Sequence, residues 1–237
     1  MHKLLLLLFI LSTAASLSAK NLRFLQTVQP YNYELLDVEI DGDLMIVPAG
    51  LGGAEIYDIS DPRNPEPRGN MALRGCNWDR SYNWDIGDGF AIGTARDCGF
   101  GVFDITDPEL PRLLALHHPD ADFVADPISS RKASMEDVEI VGDVAIFAAH
   151  FSGLVFYDMS NRSNPKYMTH VRIDNAWSLA VNDGIAYVAN GESGLSIVSF
   201  RNLNTPHVLS EVKTSGAARD IQYNDGLVFV AVGTAGV

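Results

Sequence analysis

A chain of 237 residues with 47% hydrophobic and 9% aromatic residues can bury a sizeable core, which argues against disorder. Its net charge of −13 comes without a basic patch or an acidic tail, so nucleic acid and anionic membrane surfaces are poor partners. Cations or basic partners are electrostatically easier.

At the N-terminus, His2 and Lys3 precede the apolar run Leu4 to Leu11, and small residues follow at Ser16-Leu17-Ser18. This pattern predicts a signal peptide over residues 1–18. The run is too short to span a bilayer, no cysteine follows to accept a lipid, and no later stretch approaches about 18 consecutive apolar residues. A secreted, periplasmic or cell-surface protein is expected, with one domain over residues 22–237.

The segment LRFLQTVQ (Leu22 to Gln29) lacks a hairpin of its own but matches the segments that follow the later prolines. It reads as an outer strand that completes the blade begun at the other terminus. From Leu36 onward one unit recurs five times, best seen in Glu136 to Pro165: two alternating strands around a turn, a Gly-closed loop, a third strand and a Pro-terminated turn. The loop glycines are Gly53, Gly99, Gly153, Gly194 and Gly236, spaced by 46, 54, 41 and 42 residues. A period near 40 residues signals propeller blades or a solenoid. The hairpin turns, at Gly42-Asp43, Asp88-Gly89, Gly142-Asp143, Asp183-Gly184 and Asp225-Gly226, carry the residues that supply positive φ in tight connections. The 54-residue spacing follows from a polar, Pro-broken insertion, His117 to Ser134, expected to be a loop. The fifth copy stops one residue past Gly236, where a third strand would begin, so a longer propeller is expected.

The third strands AEIYDIS (Ala54 to Ser60), FGVFDIT (Phe100 to Thr106), LVFYDMS (Leu154 to Ser160) and LSIVSF (Leu195 to Phe200) resemble LVIVD repeats. The resemblance covers nearly the whole mature chain and implies a β-propeller-like fold in exported or surface proteins, without a common activity or catalytic residues. The fourth copy departs from it, with Ser199 where the others have Asp58, Asp104 and Asp158. The expected architecture is therefore all-β, an array of about five four-stranded blades with the last incomplete at the C-terminus.

Four antiparallel strands A to D put the A–B and C–D turns on one face and the B–C and D–A loops on the other. The unusual material falls on the second face, and loops carry function more often than their scaffold. Two cysteines in an exported protein are expected to be oxidised, and Cys76 and Cys98 emerge from one edge of the second blade, so a disulfide is expected. Aspartates at Asp58 and Asp61, Asp104 and Asp107, with Asp158 and Asn161, suit either calcium or turns closed by their own side chains. His117, His118, Asp120 and Asp122, with His150 on the same face, offer zinc ligands or form an ordinary solvated loop.

At the start of each innermost strand the aligned residues are Asp37, Asn83, Asp137, Ser178 and Asp220, preceded by Leu36, Tyr82, Glu136, Trp177 and Arg219. In a propeller these ring the axial opening, where they either bind a sugar, cation or peptide or cap strand ends around a water-filled channel. No GxSxG elbow, HExxH helix or phosphate-cradling loop is present, so no catalytic residue and no cofactor is expected. The expectation is an exported binding or interaction module for an unidentified protein, peptide or glycan. Its alternatives are a metal-assisted propeller hydrolase or lactonase and a structural surface component.

Overall fold

The computed structural model describes residues 24–25, 27, 35–50, 53–73, 81–118 and 133–237. Eighteen strands run in chain order among these residues. They are β1 (Glu39–Asp41), β2 (Leu44–Pro48), β3 (Ala54–Asp58), β4 (Glu66–Met71), β5 (Trp84–Gly87), β6 (Phe90–Thr94), β7 (Phe100–Asp104), β8 (Arg112–His117) and β9 (Asp137–Val141). They continue with β10 (Val144–Ala148), β11 (Leu154–Asp158), β12 (Lys166–Val171), β13 (Ser178–Asn182), β14 (Ile185–Ala189), β15 (Leu195–Ser199), β16 (His207–Val212), β17 (Asp220–Asn224) and β18 (Leu227–Ala231). Each successive group of four forms one antiparallel meander, and β17 and β18 form a two-stranded sheet.

The expected all-β, propeller-like architecture is what the chain adopts, with four complete blades and one half-blade among the described residues. Of the expected closing strand, Phe24, Leu25 and Thr27 are described and lie outside any strand; the rest falls outside the described residues, as do residues 1–18.

Each blade is built by the same local rules. In all four full blades the third and fourth strands slip register once, between Ile56 and Tyr57, Val102 and Phe103, Phe156 and Tyr157, and Ile197 and Val198. Such a bulge increases local twist, which rotates the outer strand away from its neighbour blade. In the four full blades the loop glycines Gly53, Gly99, Gly153 and Gly194 close the second-to-third-strand connection at φ between 80° and 88°. At Gly153 and Gly194 a Cβ would meet the carbonyl oxygens of Val171 and Val212 at 2.1 and 2.3 Å, so only glycine fits where the outer strand turns past.

The core lies between blades, because sheets with two apolar faces bury both. Phe90, Ile92, Phe100 and Val102 of the second blade pack against Ala145, Phe147, Val155 and Tyr157 of the third. Phe100 sits 4.4 Å from Phe147 and 5.1 Å from Tyr157, ring centre to ring centre. Burying an aromatic ring of this size stabilises by about 1.5–3 kcal/mol before edge-to-face contacts are added. A second layer, Ile146, Leu154, Phe156, Leu179, Val188 and Val198, joins the third blade to the fourth.

Backbone bonds confirm how the loops are sorted. Ile59, Ile105, Met159 and Phe200 each donate to the hairpin turn of their own blade, at Asp43, Gly89, Asp143 and Gly184, placing both turns on one face. On the opposite face, paired bridges join each B–C loop to the entry of the next blade: Gly50 with Ser81, Arg96 with Met135, His150 with Ala176 and Gly191 with Ala218.

Candidate functional site

The bridge residues form a rim, and their backbone is special. Arg96 and His150 have φ of 48° and 45°, while Gly50, Gly191 and Gly233 hold the same place at 54°, 51° and 64°. The conformation is needed because the residue must exchange two hydrogen bonds with the next blade and also accept from the loop glycine. His150 does so with Ala176 at 3.0 Å in both directions and accepts from Gly153 at 3.2 Å. A side chain here costs on the order of 1 kcal/mol or more in the left-handed region. Arg96 and His150 stand where glycine would be the unstrained choice.

Both strained residues use their side chains on the residues that precede the innermost strands. The Arg96 guanidinium lies 4.0 Å over the Tyr82 ring and its Nε donates to Glu136 Oε2 at 2.9 Å. Glu136 is buried, and its other oxygen accepts from Ser134 Oγ at 2.7 Å. His150 lies 3.8 Å from Phe151 and 4.4 Å from Trp177, and Arg219 lies 4.4 Å over the Trp177 ring. Two linked groups therefore occupy the rim, Tyr82–Arg96–Glu136 and His150–Trp177–Arg219.

Inside the rim, the innermost strands bring their first residues toward the axis. Asp137 accepts from Val138 N at 2.8 Å in its own strand and from Leu179 N at 2.9 Å in the next blade. Asp220 accepts from Ile221 N at 2.8 Å and from Ser178 Oγ at 3.0 Å. Loss of hydration pushes the Asp137 carboxyl up to about 7, the backbone bond from Leu179 opposing and the Asp37 charge adding to it. Asp37 keeps open surface toward the axis, yet the protein packed around its carboxyl removes enough water to push it up to about 6. The Val38 N–H opposes that rise, and the charge of Asp220 adds to it.

Asn83 sits at the expected aligned position, but Asp85 makes the bond between blades there. Its carboxylate accepts from Ile86 N at 2.7 Å and from Ile140 N of the third blade at 2.5 Å. Asp85 lies two residues further along the same strand face than Asn83, so the pleat keeps it pointing the same way.

The expected zinc set does not assemble where it is visible. His117 packs 5.0 Å from both Phe100 and Tyr157 at the outer end of its blade, His118 is exposed beyond it, and His150 belongs to the rim. Asp120 and Asp122 lie outside the described residues, and among the described residues no three His, Cys, Asp or Glu side chains could hold a metal ion. Cys98 is half-buried in the loop that Arg96 opens and is not free, while Cys76 lies outside the described residues. The paired aspartates close turns: Asp58, Asp104 and Asp158 accept from Ser60, Thr106 and Ser160, and Asp61, Asp107 and Asn161 accept from Arg63, Glu109 and Ser163. These bonds, with Arg68 and Arg112, hold Asp58 and Asp104 down to about 2.

Among solved structures, the chain is similar to a functionally unknown protein from Desulfotomaculum acetoxidans, with 13% identity and a TM-score of 0.64 over 84% of this chain and 62% of that one. It is similar as well to the periplasmic gluconolactonase of Pseudomonas aeruginosa, with 16% identity and a TM-score of 0.60 over 84% and 58%. The computationally designed Ika8 protein matches at 11% identity and a TM-score of 0.59, over 84% and 55%. The chain thus spans between half and two thirds of the length of these three structures, and the likeness is one of fold. No curated protein matches the chain. The model of the LVIVD repeat matches residues 132–172 and 174–214, the third and fourth blades, so this chain carries LVIVD repeats.

Proposed function

We propose that the chain is an exported binding module whose ligand meets the rim of the B–C/D–A face. The observation that carries this reading is the side chain at two rim positions where the backbone favours glycine. Strain of this kind persists where the surrounding structure enforces it and is concentrated at ligand sites. The residues gathered there, Tyr82, Arg96, Trp177 and Arg219, are of the types that dominate binding hot spots. Export rests on the sequence of residues 1–18, and with it goes a bond between Cys76 and Cys98, a pairing consistent with Cys98 not being free.

The test uses His150→Gly, which removes the imidazole and relieves the backbone, together with Trp177→Ala. Ligands found by screening glycans and peptides against the purified protein should lose affinity about tenfold or more in both variants, while Tm shifts by only a few degrees. Unchanged affinity in both variants overturns the reading.

A further inference from the structure

The residue before each rim position is buried, and in one blade it is polar. Ala49, Ala95, Ala149 and Val232 hold this place in the first, second, third and fifth blades, and Asn190 holds it in the fourth, 2% exposed. Burying a carboxamide costs free energy unless its hydrogen bonds are met. Here both ends are met: Oδ1 accepts from Asn175 N at 3.0 Å, and Nδ2 donates to Ser196 Oγ at 2.9 Å within the blade. Asn175 lies in the loop that enters the blade, two residues before Trp177, so one side chain ties that loop to the end of β14.

Gly191, the next residue, completes the seat. A Cβ there would lie 3.2 Å from Asn175 Cβ and 3.4 Å from both Asn175 Nδ2 and Trp177 Nε1, so the entering loop and the indole edge pack directly against glycine backbone. At Gly233, the same place in the fifth blade, nothing lies within 4 Å of a Cβ. In the second blade the contact is reversed, because the bridge residue has a side chain and Arg96 covers the ring of the entry residue, Tyr82. Glycine in the fourth blade leaves room for the entry ring itself to lie against the bridge.

We propose that Asn190 and Gly191 are positioning residues for Trp177, a polar tie and a close backbone that together fix where the indole stands on the rim. The proposal rests on the reading of this face as the binding surface and adds what holds its indole in place. Trp177 N donates to Ala189 O at 2.9 Å, which locates the backbone but leaves the side-chain torsions unset. The ring is bounded by His150 at 4.4 Å, the Arg219 guanidinium at 4.4 Å and the Gly191 backbone, and the last of these contacts depends on Asn190 holding Asn175 inward. A ring placed before a ligand arrives loses less freedom on binding, which is how pre-organisation strengthens affinity.

The experiment follows the indoles by fluorine NMR of the whole chain labelled with fluorotryptophan, with Trp177→Phe identifying the Trp177 signal. Asn190→Ala and Gly191→Ala should each move that signal, and Asn190→Ala should speed exchange of the Asn175 amide about fivefold or more, the loss of one ordinary hydrogen bond. Ser196→Ala removes the other partner of Asn190 and keeps the bond to Asn175, so it should leave the signal in place. A Trp177 signal unmoved in Asn190→Ala, or moved as far in Ser196→Ala, overturns the proposal. If Asn190→Ala does not fold, Gly191→Ala and the wild type decide: an unmoved signal in the first, or an Asn175 amide unprotected in the second, overturns it. A glycan or peptide found by screening that Trp177→Ala weakens should be weakened by Asn190→Ala as well. If only Trp177→Ala weakens it, the positioning role falls and the rim stands; if neither does while the signal moves, the seat stands and the binding surface falls.

Discussion

The two faces of the propeller are made from the same residue types used in opposite ways. On the A–B/C–D face, aspartates stay in water, accept from the next residues of their own turns and pair with exposed arginines. On the B–C/D–A face, carboxylates are withdrawn from water and bonded across blades, and an arginine and a histidine sit in the left-handed backbone that, glycines aside, only the turn aspartates Asp183 and Asp225 adopt on the first face among the described residues. One face spends its charges on local geometry; the other holds them against desolvation and strain. The difference shows that a repeat array can keep one end stereotyped while the other end varies residue by residue around a fixed backbone path.

The largest expected effect contrasts two positive-φ glycines, one from each face. Gly153→Ala would drive a Cβ to 2.1 Å from the Val171 carbonyl, whereas around Gly142 nothing lies within 4 Å. The first substitution should cost about 3 kcal/mol or more and the second about 1 kcal/mol, the backbone preference alone. Urea midpoints of the two variants check this, and equal losses would break the contrast.

Next comes the buried carboxylate at the rim. Glu136 is 8% exposed at its side chain and relies on Arg96 and Ser134, so Arg96→Gln should destabilise by about 2 kcal/mol through the charge left behind. Arg112→Gln on the other face, where the arginine is 73% exposed, should leave Tm unchanged. The same thermal melts read both.

The pH dependence should have opposite sign on the two faces. Asp137 and Asp37 titrate at about 7 and about 6 in the folded chain, above the ordinary value near 4, so the folded state holds their protons longer than the unfolded one. Their contribution is most favourable below about pH 4 and is lost as pH rises toward 7. Asp58 and Asp104 titrate at about 2, so theirs is present above about pH 4 and lost as pH falls toward 2. Stability measured by urea midpoint should therefore decline on both sides of mildly acidic pH. Asp137→Asn should flatten the decline between pH 5 and 7.5, and Asp58→Asn should leave that limb as it is. His150→Gly is expected to change stability by only about 0.5 kcal/mol or less, because relieved strain offsets the greater freedom of glycine in the unfolded chain.

The fold was legible because its determinants are local. Gly53, Gly153 and Gly194 mark places where a carbonyl passes too close for any Cβ, and the Asx turns fix their own backbones, so period and register can be read without tertiary knowledge. The candidate site was legible only in outline. Asp37, Asp137, Ser178 and Asp220 do turn to the axis, but at the second blade the pleat allows the cross-blade acceptor to sit two residues on, at Asp85, and nothing local distinguishes that choice from Asn83. His150, Tyr82, Glu136, Trp177 and Arg219 were legible as candidates on this face, but the equivalence of the bridge positions was not, for another reason. Gly50, Arg96, His150, Gly191 and Gly233 each precede a loop glycine by three residues, yet glycine, arginine and histidine share no side-chain property. What they share is φ, which side-chain chemistry does not announce.

The rim bridges also hold the array together. Three of them, Arg96 with Met135, His150 with Ala176 and Gly191 with Ala218, join neighbouring blades by a reciprocal pair of main-chain hydrogen bonds of 2.9–3.2 Å. These joints tie neighbouring blades through the main chain, where the cores between sheets join them through side chains. Amide protons of Arg96, His150 and Gly191 are held in these joints and should exchange slowly with solvent. A ligand seated across such a joint would contact two blades at once.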